Sequence, residues 1–117
     1  MAQYEHLPLY KASMDLAVYL ENTVKGFSRY HKYTLGSDLR KLAHRVVMLV
    51  IQVNSERDKA ATFRELRDTV EQLKVTARMC KEVKAFKSFN AFQQVMESVI
   101  SVGRQSEGWL KSVRGVK

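Results

Sequence analysis

Residues 62–80, Thr-Phe-Arg-Glu-Leu-Arg-Asp-Thr-Val-Glu-Gln-Leu-Lys-Val-Thr-Ala-Arg-Met-Cys, decide the fold. Phe63, Leu66, Val70, Leu73, Ala77 and Cys80 alternate steps of three and four without interruption, which draws one apolar seam down a helix and suits packing against a second helix. Thr62 followed by Glu65 has the capping-box spacing, which predicts the helix start. The seam should decay after Phe86, where Ser88 can cap the next helix.

Three further segments carry the same period. Upstream, Leu9, Ser13, Leu16, Leu20, Val24 and Phe27 predict a helix over about Leu9–Ser28. Leu39, Leu42, Ala43, Val46, Val50 and Val53 predict a second, capped by Thr34 or Ser37 and fading near Asn54–Lys59. Downstream, Phe89, Phe92, Met96, Val99, Gly103, Ser106, Leu110 and Val113 predict a fourth. Pro8 is the single proline and no segment alternates with a period of two, so strands are not expected. Short links favour antiparallel neighbours, and the expectation is an all-α, antiparallel up-down-up-down four-helix bundle filling one domain, residues 1–117. Leu16, Leu20, Leu42, Val46, Leu66, Val70, Leu73, Ala77, Phe92 and Val99 are its expected shared core.

The residues needed for catalysis are sparse. His6, His31 and His44 stand apart, with neither HExxH nor Glu-x-x-His among them, so no metal site or cofactor is expected. Cys80, the one cysteine, lies on the apolar seam and reads as a small core residue, and no phosphate-cradling glycine loop occurs. The protein reads as a non-enzyme. A lone cysteine, an N-terminus without a basic stretch leading into an apolar one, and a longest apolar run of only Val46–Ile51 point to a cytoplasmic protein that does not cross a membrane.

Charge is the informative feature. Twenty Lys+Arg against twelve Asp+Glu give a net charge of +8. Antiparallel topology brings the first and third connections to one end, where Lys25, Arg29, Lys32, Arg40, Lys41 and Arg45 face only Asp38, and Lys74, Arg78, Lys81, Lys84 and Lys87 face only Glu82. Arg29, Lys32, Arg40, Lys41, Lys74, Arg78, Lys81, Lys84 and Lys87 are therefore expected on one continuous phosphate-binding face, with Lys74, Arg78 and Lys81 as its stripe. A competing account remains: Lys25, Arg29, Lys84 and Lys87 sit near helix C-termini, where cations complement the helix dipole. Residues 46–53, apolar except for Gln52, carry more apolar surface than one seam buries. They are either wrapped by the bundle's own helices or packed on a second copy through Val47, Met48 and Ile51, with Trp109 as a core cap or an interface anchor.

Particular residues carry a resemblance: Tyr30-His31-Lys32-Tyr33-Thr34-Leu35-Gly36, then Leu39-Arg40 and Ala43, Asn54, Leu73-Lys74, Arg78, and Gln105-Ser106-Glu107-Gly108-Trp109. Over about residues 10–114 the chain resembles the four-helix-bundle family of Avd, the accessory variability determinant of diversity-generating retroelements, and of proteins encoded in intervening sequences of bacterial ribosomal RNA genes. The resemblance implies a basic, barrel-shaped homopentamer without enzymatic activity that binds RNA or DNA and associates with the retroelement reverse transcriptase. It also implies that Tyr33, Thr34, Leu35 and Gly36 are structural, with Lys32 and Arg40 flanking them as phosphate contacts. The ribosomal intervening-sequence type implies instead a stand-alone oligomeric bundle, and a protein-interaction module is the third reading.

Overall fold

The structure, a computed structural model, describes residues 3–115. The outermost two residues at each end of the expected domain lie outside the described residues. A 3-10 turn, Gln3–His6, leads into α1 (Pro8–Lys25), a one-turn α2 (Arg29–Lys32), α3 (Leu35–Ser55), α4 (Ala60–Glu82) and α5 (Phe89–Gly115). Among the described residues no strand forms, and no helix is long and apolar enough to cross a membrane.

The four long helices form the antiparallel bundle. α1 packs on α3 and α5, and α4 packs on the same two helices, so the helices make a square with α1 diagonal to α4. Opposed register is visible in the pairs: Arg45 of α3 meets Glu65 of α4, and Arg40 meets Glu21 of α1. One core runs through the square. Leu16, Leu20, Leu39, Val46, Val50, Leu66, Leu73, Val95, Val99 and Val102 are all fully buried in it, each burial contributing roughly 1.5–3 kcal/mol.

The helix ends differ from expectation for identifiable reasons. α1 stops at Lys25 because Phe27 turns inward, its N–H donating to the Val24 carbonyl. Ser28 then caps α2 inside what read as a plain connection. α3 starts at Leu35; Thr34 precedes it but gives its hydroxyl to the Tyr30 carbonyl at 2.8 Å, and Ser37 lies within the first turn. α4 begins two residues before Thr62, and no Thr62–Glu65 box forms. Thr62 is buried and donates to Glu56 instead, while Asp58 accepts the Ala60 N–H. Ser88 caps α5 as expected, accepting the Ala91 N–H at 3.1 Å.

Two faces also shift. On α5 the seam is Phe92, Val95, Val99, Val102 and Ser106, whereas Phe89 is 62% exposed and Val113 is 40% exposed. Leu42 packs against the core only half-buried. On α3 the bundle's own helices bury Val46, Val47, Leu49, Val50 and Val53, which leaves Met48 exposed and Ile51 half-buried. Most of the apolar excess there is absorbed within one chain.

Candidate nucleic-acid interface

α1, α3, α4 and α5 bring both basic connections to one end of the bundle. Phe27 of the first and Phe86 of the third stack edge to face at 5.3 Å, and the Lys87 stem lies against Gly26, where an added Cβ would meet Lys87 Cε at 2.9 Å. Phe86 continues to Phe92 at 5.7 Å, and the Lys81 ammonium stands 5.3 Å from the Phe92 centroid.

The nine expected phosphate contacts do not form one face. Lys32 and Arg40 line a small α1/α3 pocket with Glu21 and Lys25, and Arg40 is held by Glu21 at 3.0 Å. That side is opposite the α4/α5 side, because the helices form a square. Lys41 lies in the α3/α4 groove among Asp38, Asp68 and Glu71, an acidic setting that repels phosphate. Arg29, Lys84 and Lys87 are exposed on the end itself. Lys74, Arg78 and Lys81 do follow one line along α4, the stripe that their spacing implied, with Lys74 and Lys81 on the α5 side.

What the helical period did not single out is the other wall. Between α4 and α5 runs a groove of about 590 Å³ in which Arg67 and Lys74 of α4 face Arg104 and Lys111 of α5, with Glu71 and Glu107 as the only carboxylates lining it. The signal was present in the sequence: Arg67, Lys74 and Lys81 are spaced by heptads and so occupy one helix position. Small residues keep the groove open, since Gly103 and Gly108 expose backbone there and a Cβ on Gly108 would meet nothing within 4 Å. Lys74 pairs with Glu71 at 3.7 Å and Lys81 with Glu82 at 3.3 Å. Such surface pairs contribute about 0–1 kcal/mol, so an incoming phosphate can displace them.

The residues suggested for an interface between copies separate too. Val47 is 6% exposed and Trp109 caps the core with its ring 5.2 Å from Phe63, while Met48 remains 49% exposed. A different apolar row runs along α4 to its C-cap, where Val75, Met79 and Val83 are each about half exposed at four-residue spacing.

Among the described residues no group of three His, Cys, Asp or Glu is placed to hold a metal ion. Cys80 is buried, and burial together with the nearby Asp38 charge pushes its thiol up to about 11, far from a reactive thiolate. The chain matches no protein-family model and no curated protein.

Proposed function

We propose that this protein is a non-enzymatic, cytoplasmic nucleic-acid-binding accessory protein of the Avd kind, which holds RNA through its phosphates and associates with a retroelement reverse transcriptase. The observation that carries the reading is the α4/α5 groove, where four cations from two rigid helices face each other across a gap with two carboxylates. Opposed cations at fixed separation follow a phosphate backbone, whereas scattered surface lysines do not. Such contacts read charge and shape rather than base edges, so sequence preference should be weak.

The exposed row Val75, Met79 and Val83 supports a protein partner as well, because a contiguous apolar strip on a monomer marks a contact surface. A closed homo-oligomer, a pentamer by the resemblance, or the reverse transcriptase would cover it. Intervening-sequence proteins remain the second reading, since they share the bundle and need no polymerase.

The experiment is RNA affinity against salt. Each phosphate neutralised in duplex contributes a log-log slope of about −0.9, so four contacts give roughly −3.6. Lys74, Arg78 and Lys81 changed together to Gln should flatten the slope without unfolding the protein. An unchanged slope in the folded variant removes this stripe as the site, and loss of reverse-transcriptase co-purification alone assigns the stripe to the protein partner.

A further inference from the structure

The end of the bundle carries rings as well as charge. Tyr30 is 74% exposed, Tyr33 69% and Phe89 62%, the three most exposed large apolar side chains among the described residues. Tyr30 on α2 and Tyr33 at its C-cap lie three residues apart, and Phe89 opens α5 against Phe92 at 5.7 Å. The Phe27–Phe86 contact joins the two connections that bear them. None of the three rings is in the core, and each presents most of its surface to solvent.

A second observation at the same end is independent of these rings. α4 terminates in a Schellman motif: the Ala85 N–H donates to the Cys80 carbonyl at 2.8 Å and the Lys84 N–H to the Lys81 carbonyl at 3.0 Å. Its left-handed position is filled by Lys84, at φ 61°, the only non-glycine residue with positive φ among the described residues. Glycine adopts this conformation without a Cβ penalty, and a lysine does not. Strain kept at a surface position points to a use for the side chain, here an ammonium exposed on the same end as Lys87 and Arg29.

Exposed rings interleaved with fixed cations are how proteins hold unpaired nucleotides: bases stack on the rings while the cations follow the backbone. We infer that this end of the bundle is a stacking platform for unpaired RNA, with Tyr30, Tyr33 and Phe89 taking bases and Arg29, Lys84 and Lys87 taking phosphates. The inference rests on the nucleic-acid reading above and narrows it, since the α4/α5 groove accepts any phosphate backbone whereas the end requires bases that are free to leave their stack. A duplex keeps its bases inside and gains nothing from the rings.

The test compares a fluorescein-labelled oligouridylate of about 12 nucleotides, a length within the usual site size, with a blunt RNA duplex of equal length. The Tyr30→Leu/Tyr33→Leu/Phe89→Leu protein should lose about tenfold or more in affinity for the oligouridylate and less than about twofold for the duplex, because one stacked base alone accounts for roughly 5- to 150-fold. Tyr30→Phe/Tyr33→Phe keeps the rings and should bind as the parent does. Tyr19→Leu, on α1 outside both connections, controls for loss of an exposed ring. Equal losses on the two probes, or no loss on the oligouridylate, would overturn the platform and leave the groove standing. A parent protein that binds neither probe at low salt would overturn both readings.

Discussion

Phe27 and Phe86 meet edge to face, 5.3 Å between centroids and 84° between planes, although 59 positions separate them in the chain. Each is nearly buried, at 5% and 8% exposure. This contact joins the two connections at the basic end of the bundle. Phe86→Ala should therefore lower stability by about 3 kcal/mol, the lower part of the range for a large aromatic at a nearly buried site. Chemical denaturation measures it, and a loss below about 1 kcal/mol would mean that the end is not packed as described.

Lys84→Gly should raise stability while weakening RNA binding. Relief of the left-handed strain gives roughly 1–2 kcal/mol, and the greater freedom of glycine in the unfolded chain removes about 0.4–1 of it. The net gain is between about 0 and 1.6 kcal/mol, centred near 0.8 and read as a higher melting temperature. A more stable variant with undiminished affinity for RNA would show that the lysine has no binding role.

Cys80 should make the fold sensitive to alkali. Its folded-state thiol is raised from 9.0 to about 11 by burial and by Asp38, so the folded protein keeps a proton that the unfolded chain gives up. The associated stability is complete below about pH 9 and is lost as pH rises toward 11. Cys80→Ala should remove that share of the alkaline decline, and the parent thiol should resist a disulfide reagent at pH 8 until the protein unfolds. Rapid labelling of the native protein would contradict the burial.

Glu56 acts in the opposite direction. Hydrogen bonds from Gln52 and Thr62, and then the Lys59 charge, hold its carboxyl below the usual 4.5 despite some desolvation. Its contribution is present above that value and is lost as pH falls through the lowered one. Glu56→Gln should accordingly flatten the melting temperature against pH in the acid range below about 4.5, with little change at neutral pH. An identical acid profile in the variant would show that the Gln52–Glu56–Thr62 cluster does not persist in solution.

The bundle was legible because its signal is repeated: Leu66, Val70, Leu73 and Ala77 are periodic and are all buried. The helix ends were less so, since a cap depends on geometry that sequence spacing underdetermines. Thr62 has a cap's spacing but finds Glu56 one loop away, and Lys59 takes the carbonyls of Val53 and Glu56 at 2.7 and 2.6 Å, closing α3 from a position that carries no recognised motif. On α5 the choice between Met96 and Val95 as inward residues depends on helix rotation, which a pattern containing Gly103 and Gly108 leaves loose. The binding residues were half legible. Charge along the chain located the basic end and the α4 stripe, but pairing Arg67 and Lys74 with Arg104 and Lys111 needs the register of α4 on α5, and the acidic setting of Lys41 is hidden in the sequence because two of its three carboxylates, Asp68 and Glu71, come from another helix.

The most direct measurement of the central claim is photocrosslinking of the protein to 4-thiouridine-substituted RNA, with crosslinked residues located by mass spectrometry. The account predicts adducts in residues 29–33 and 84–92 and along the groove walls, 67–81 and 104–111, with crosslinking suppressed by salt. Adducts concentrated on α3 around Asp38, Lys41 and Leu42, its wall of the α3/α4 groove, or none above background at low salt, would contradict it.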